Sequence, residues 1–320
     1  MRLLVVSDPH WAGPRERLRR GYERAAIANP LLRLLATVWR RGVWLADPLA
    51  HNHRLDRILE REAHAGFAVA NGDYTVDTAF VGISDDASCE SAAACVGRLR
   101  AAFGDRLRLT VGDHDLGKHG LFGGRGGPRL ESWRRLGPRL GIDPVWRHDL
   151  GKVSLVGVPS TPIALEVFRP EILPAEAVGW EAVRREVLAA TRRVLGGIPE
   201  SNRVILFCHD PTALPFLAAL PEMQAVMSRL EATVIGHLHS PAILWTAGLL
   251  SGLPEVRGLG STARRYTGAL RKAEAWKPFR LRLCPSPTGI ERLQDGGWLT
   301  VEFDPDSPTE FAWTRHRLPW

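Results

Sequence analysis

Six short apolar runs, each closing on polar or ionisable residues, constrain this chain more than anything else in it. They are RLLVVSDPH (2–10), GFAVANGD (66–73), LRLTVGDHD (107–115), KVSLVGVPS (152–160), RVILFCHD (203–210) and ATVIGHLH (232–239). Each has an aliphatic or β-branched centre of about four to six residues, the pattern of strands buried on both faces. Helical patterns lie between them, at 53–64, 88–103, 129–140, 175–195 and 211–230. Such alternation specifies an α/β layered fold. The tail differs: GWLTVEFD (297–304) and EFAWTRHRL (310–318) alternate apolar and polar residues around PDSPT, which predicts a β-hairpin. Residues 262–296, basic and mixed, read as loop or short helix. With no internal repeat or low-complexity linker, a single domain over 1–320 is expected. It carries a helical insertion at about 12–50 and a C-terminal extension at about 245–320 that includes the hairpin.

The chain has 320 residues, 45% hydrophobic, enough for a large core. Its four cysteines (Cys89, Cys95, Cys208, Cys284) show no two-residue spacing, so no disulfide or thiolate-metal framework is implied. That suits a reducing cytoplasm. The net charge of +7 comes from arginine and favours anionic partners: phosphorylated metabolites, nucleic acid or acidic lipid. Arginine-favouring codon usage accounts for the charge equally well. MRLLVVSDPH is no signal peptide, because its apolar run is too short. No stretch reaches ~18 uninterrupted apolar residues, so no membrane-spanning helix is expected. The expected location is cytoplasmic, with peripheral attachment to the inner membrane face as the variant.

The run ends carry the chemistry. The first supplies Asp8 and His10, the second Asp73, the third Asp113 and His114, the fifth His209, and the sixth His237 and His239. Ligands of α/β sheets gather beyond the carboxyl ends of strands, so these groups should converge on one rim. Mixed imidazole and carboxylate donors suit Mn, Fe or Zn better than Mg or Ca. Even without His114, the seven remaining groups exceed what one ion needs. Two ions about 3.5–4 Å apart can generate a nucleophilic hydroxide near neutral pH and stabilise an in-line phosphoryl displacement.

The blocks D-P-H (8–10), G-D (72–73), G-D-H-D (112–115), H-D-P (209–211) and G-H-L-H (236–239), in that order, resemble the calcineurin-like metallophosphoesterase family over roughly residues 1–240. The resemblance implies a four-layer α/β/β/α sandwich with a dinuclear site between the sheets. It implies that Asp8, His10 and His239 hold one ion, that Asp113, His209 and His237 hold the other, and that Asp73 bridges them. His114 matches the family's histidine beside the scissile phosphate, which orients the substrate and protonates the leaving oxygen. Manganese is the favoured metal. Two departures stand out. Asp113 replaces the family's usual asparagine, adding a negative charge. The acid that often follows the bridging aspartate by three residues is here Asp77, four residues on, expected behind the catalytic histidine.

Taken singly, Asp113 and Asp115 read as turn or cap acids, and His209 as a core histidine. Ordered recurrence at run ends overturns that for the ligand set. It does not do so for His51, His53, His64, His119, His148 or His316, which are expected on the surface. Cys208 reads as a buried apolar residue of its strand.

Substrate choice should lie in the surrounding segments. In NPLLRLLATVWR (29–40), Asn29 is a good N-cap, Pro30 the first helical residue, and Leu31, Leu32, Leu34, Leu35, Val38 and Trp39 fill one face. The favoured expectation packs this helix on the domain. The alternative is a hydrophobic lid or membrane-surface helix over 29–44, flanked by arginines. LGKHGLFGGRGGPR (116–129) lacks a P-loop ending but could bring Lys118 or Arg125 to a phosphate. In GLGSTARRYTGALRK (258–272), Arg264, Arg265 and Tyr266 could contact an anionic substrate, single-stranded nucleic acid included.

The expected activity is dinuclear, metal-dependent hydrolysis of a phosphodiester, pyrophosphate or phosphomonoester, on a lipid-linked or nucleotide substrate, by a metal-bridging hydroxide. A DNA or RNA nuclease is the first alternative. A non-catalytic metal-binding or interaction scaffold is the second, ranked last because all seven ligand positions hold competent groups.

Overall fold

The computed structural model describes residues 1–120, 125–239 and 273–319. Its strands are β1 (Arg2–Val6), β2 (Phe67–Asn71), β3 (Leu107–Thr110), β4 (Trp146–Leu150), β5 (Val153–Val158), β6 (Arg203–Cys208), β7 (Leu230–Ile235), β8 (Leu281–Leu283), β9 (Gly297–Glu302) and β10 (Ala312–Arg317). They form two sheets, ordered β10-β9-β1-β2-β3 and β4-β5-β6-β7-β8. β1, β2 and β3 run parallel, as do β5 to β8, while β9, β10 and β4 join antiparallel.

Alternate side chains of each strand serve different cores, because successive Cβ atoms point to opposite faces. Leu3, Val5, Phe67, Val69 and Val301 of the first sheet meet Val153, Leu155, Ile205, Phe207 and Val234 of the second. The intervening residues, Leu4, Val6, Ala68 and Ala70 on one side and Val156, Val158 and Leu206 on the other, pack under helices. Among the described residues, the helices of ten residues or more are α1 (Pro30–Trp39), α2 (Asn52–Arg61), α3 (Asp86–Phe103), α4 (Leu130–Leu140) and α5 (Ala177–Gly196). α2 buries Leu55 and Ile58 beside the first sheet, and α5 buries Trp180, Val183 and Val187 beside the second. The order is helix, sheet, sheet, helix: the four-layer α/β/β/α sandwich that the resemblance implies. Each fully buried Leu, Val or Ile on these faces is worth about 1.5–3 kcal/mol.

Several expectations need correction. The helix read over 211–230 is broken into short pieces, Leu214–Ala218 and Pro221–Val226, flanked by 3₁₀ turns. Prolines at 211, 215 and 221 lack the N–H an uninterrupted helix needs. β4 arises in a stretch that shows no apolar run. β8 falls within the 262–296 region read as loop or helix and extends the second sheet beside β7. The tail hairpin forms as read, but it completes the first sheet, with Leu3 opposite Val301.

Candidate metal centre

Each side chain of the rim is delivered by the loop that leaves a strand. After β1 and β2 the two loops run side by side, with Asp8 N on Gly72 O, His10 N on Asp73 O and Trp11 N on Tyr74 O. The turns are tight enough to force unusual backbone. Nine described non-glycine residues have positive φ, and five of them are Asp8, His10, Asp73, His237 and His239, at 44–61°. Strain of this kind persists only where the surroundings hold it, and it gathers at functional sites. Glycine is required beside them: a Cβ on Gly112 would strike the Asp73 carboxylate, and one on Gly236 would strike Ser7 and Asp8.

The seven expected ligands come together in two groups. Asp8, His10, Asp73 and His239 form one, and Asp113, His209 and His237 the other; within each, the donor atoms lie within 4.8 Å of one another. Asp73 Oδ2 faces both, 3.9 Å from His10 Nε2 and 3.2 Å from His209 Nε2. His239 Nε2 is 3.3 Å from Asp8 Oδ1 and 3.1 Å from His10 Nε2. Asp113 Oδ1 lies 2.8 Å from His237 Nδ1 and 3.3 Å from His209 Nε2, so Asp113 faces the cluster rather than capping the turn.

The donor set fits cations. Asp8 Oδ2, Asp73 Oδ2 and His209 Nε2 are buried with no hydrogen-bond partner, a costly state unless an ion fills the gap. Burial pushes the Asp73 carboxyl up to about 8, helped by Asp113 and Asp8 and opposed by His209. Burial works against a charged His209, but Asp73 and Asp8 hold its pKa well above the usual value. Without a cation the cluster thus keeps protons to balance its carboxylates; a dication would replace them. Burial lowers His10 and takes His239 down to about 4, leaving both neutral and able to ligate.

Contacts behind the ligands fix their aim. His209 Nδ1 lies 2.6 Å from Asn71 O and His10 Nδ1 3.3 Å from Thr75 O, so each presents Nε2 to the site. Asp8 Oδ1 accepts from His237 N, and Asp73 Oδ1 from His114 N. Asp115, read as a cap acid, ties the rim together: its carboxylate accepts from Asp73 N (3.0 Å), Tyr74 N (2.9 Å) and Gly112 N (2.9 Å). Asp210 is buried with Oδ2 3.7 Å from His237 Nε2. The presence of both acids in strand-end blocks was the only available signal for them.

His114 stands beside His10, ring centroids 4.5 Å apart. Its Nδ1 is 2.9 Å from the Val76 carbonyl. A carbonyl therefore makes the contact expected from Asp77. The Asp77 carboxylate instead accepts from Val81 N, Gly82 N and Lys118 N. It holds the loop that carries Lys118, whose Nζ donates to Val76 O at 2.7 Å.

A cavity of about 200 Å³ opens onto His10, His114 and His239. Lys118 lines it, with Tyr22, Trp39, Arg40, Trp44 and His51. His51 is thus not simply a surface residue. His148 and His316 are half-buried, stacked on Phe67 and Trp298. Arg125 is exposed and is not among the residues lining this cavity. Arg264, Arg265 and Tyr266 lie outside the described residues. Cys208 is buried in β6, as expected, and all four thiols are free. Trp39 and Trp44 reach this wall from the 29–44 segment for which a hydrophobic lid was the alternative expectation; Tyr22 was not foreseen, because nothing local says what a loop will cover.

No protein-family model matches the chain, and no curated protein matches it. Among solved structures, the chain is similar to a phosphopantetheinyl hydrolase from Mycobacterium tuberculosis, at 16% identity and a TM-score of 0.34, over 75% of this chain and 83% of that one. It is also similar to a dimetal phosphatase from Danio rerio, at 13% identity and a TM-score of 0.47, over 100% of this chain and 97% of that one. Likeness at this level carries no chemical argument, so the chemistry rests on the side chains of the rim.

Proposed function

We propose that this chain is a metal-dependent phosphoric ester hydrolase with a dinuclear centre, as its resemblance to calcineurin-like metallophosphoesterases implies. The observation that carries the reading is Asp73 Oδ2, buried, unpartnered and facing both halves of a seven-ligand cluster. Asp8, His10 and His239 would hold one ion and Asp113, His209 and His237 the other, with Asp73 between; Mn, Fe and Zn suit the donors, Mn being favoured. Such a pair supplies Lewis acidity and lowers the pKa of water.

The chain's own groups do the rest. Lys118 places a cation at the cavity wall, where its field draws an anionic phosphate. Burial lowers its pKa, while Glu23 and Asp77 act to keep it charged. His114, anchored through Nδ1 to the Val76 carbonyl and lining the cavity, is the donor to the leaving oxygen. Burial, Lys118 and His10 depress its pKa; a bound phosphate dianion restores the proton, since an opposite charge favours the charged form. Tyr22, Trp39 and Trp44 offer an apolar wall to the ester group. The cavity's small volume and aromatic lining favour a compact ester head over a nucleic-acid strand.

The test is to purify the protein, measure metals by elemental analysis, then strip and reload it with Mn. About two ions per chain and chelator-sensitive cleavage of bis(4-nitrophenyl) phosphate are expected. A single ion, or cleavage that survives chelation, would reject the reading.

A further inference from the structure

An amphipathic helix on a globular domain normally turns its apolar stripe inwards. α1 does the reverse. Leu31, Leu34, Leu35 and Val38 share one helical face and are 64%, 59%, 54% and 62% exposed, and Trp39 at the helix end is 40% exposed. None of the ten residues of α1 is buried. The favoured expectation, a helix packed on the domain by this face, is therefore corrected: the stripe faces outwards. The helix is nevertheless well anchored. Asn29 Oδ1 accepts from Leu31 N and Leu32 N at 2.9 and 3.2 Å, Arg33 reaches back to the Ile27 carbonyl, and Arg40 pairs with Glu23.

The charge around it is equally lopsided. Residues 14–50 hold eight arginines against three acids, a surplus of five in a chain whose net charge is +7. Arg20, Arg24 and Arg41 line the groove beside α1. The groove meets α1 on its Ala36 and Thr37 side, so the arginines lie on the polar side of the helix opposite the stripe, the arrangement of an interfacial helix. An anionic lipid surface matches both properties at once.

We propose that α1 is an interfacial helix that seats the chain on an anionic lipid surface. Leu31, Leu34, Leu35 and Val38 enter the boundary between headgroups and acyl chains, and the neighbouring arginines meet lipid phosphates. The helix lies on the membrane: no helix among the described residues is long and apolar enough to cross one. Its C-terminal end supplies Trp39, followed by Arg40 and Trp44, to the cavity over His10, His114 and His239. A lipid-borne phosphate ester would then enter that cavity from the surface on which the chain rests. Only this delivery step depends on the hydrolytic reading; the docking does not.

Co-sedimentation of the full chain with vesicles tests the docking. Binding to phosphatidylglycerol–phosphatidylcholine (1:1) vesicles should exceed binding to pure phosphatidylcholine by at least about tenfold, and should weaken as salt screens the arginines. Leu31→Ser/Leu34→Ser/Leu35→Ser should lower the affinity by about ten- to a thousandfold, each of the three leucines being worth up to about one tenfold step. Its metal content and bis(4-nitrophenyl) phosphate cleavage should match the parent, because these side chains touch neither cluster nor cavity. Vesicle binding unaffected by the triple substitution would overturn the proposal. So would a lipid-free dimer, by sedimentation velocity, that the substitution dissociates, because the stripe would then be covered by a second copy. Vesicle binding without any metal-dependent cleavage would leave the docking standing and remove the hydrolytic reading alone.

Discussion

The ligand rim and the insertion that walls its cavity break the same packing rule in opposite senses. At the rim, charge is inside: Asp8, Asp73, Asp115 and His209 have no exposed surface. In α1, hydrocarbon is outside. Both departures cost stability in water, and each is informative because the ordinary pattern would have been easy to build. The rim is also held from every side, by paired loops and by a carboxylate that takes three backbone N–H groups. α1 is held by its cap and two arginines. The lesson is that the rim needs exact geometry toward something small, whereas α1 needs a free face toward something large.

The largest effect expected from testing that contrast is at Asp73. Asp73→Ala should release both ions and lower turnover by more than about 10⁴-fold, beyond the range of one acid–base group; elemental analysis and rate measurement decide. Retained metals would mean that Asp73 serves the backbone rather than the ions. Stripping the metals from the parent exposes the same charge. With Asp73 raised by burial to about 8, and His209 held above its usual value, the folded protein binds more protons than the unfolded chain. Metal-free stability should therefore fall as pH rises from about 6.5 to 8, by up to about 1.4 kcal/mol per pH unit per proton. His10, His114 and His239, with lowered pKa values, act in the opposite sense near pH 6.5, where their unfolded imidazoles are still about half protonated, and fade out above about pH 7.5, so the fall should steepen towards pH 8. Denaturant titrations at pH 6.5, 7.2 and 8.0, with chelator and with Mn, would show it. A metal-free stability that rises with pH would contradict it.

Next in size is His114→Ala, expected to keep the metals and lose about 10²–10⁴-fold in rate on an ester with a poor leaving group. Full activity there would remove its proton-donor role. Asp115→Asn should be milder, since the shape is kept while one oxygen becomes a donor facing backbone N–H groups. Metal affinity should drop about 10–100-fold, read by competition with a chelating dye; no change would make the clasp dispensable. Trp44→Ala should have the smallest effect. It should leave the protein folded and raise KM for an ester with an apolar tail by about tenfold, the scale of losing part of one aromatic contact. An equal KM change for methyl phosphate would show that Trp44 supports the site rather than the tail.

The run ends named in the sequence supplied all seven residues of the two clusters, and the apolar runs supplied six of the ten strands among the described residues. Those features are local: a buried strand and the chemistry of its last residue are written in adjacent positions. The hairpin was legible for the same reason, through period-two alternation around a turn. β4 and β8 were not. β4 alternates buried and uncovered residues beside β5, and the three-residue β8 exists because β7 offers it an edge.

The tertiary structure alone decided what each side chain would meet. Asp77 and Asp115 carry the same group, yet one secures the Lys118 loop and the other clasps the backbone of Asp73 and Tyr74, because the segments leaving β2 and β3 meet only in space. The sequence determined that α1 has an apolar face, since helical spacing puts Leu31, Leu34, Leu35 and Val38 in line. It could not determine where that face points. A period defines one side of an element, whereas its partner comes from chain segments far away in sequence, and here none of the described segments covers it.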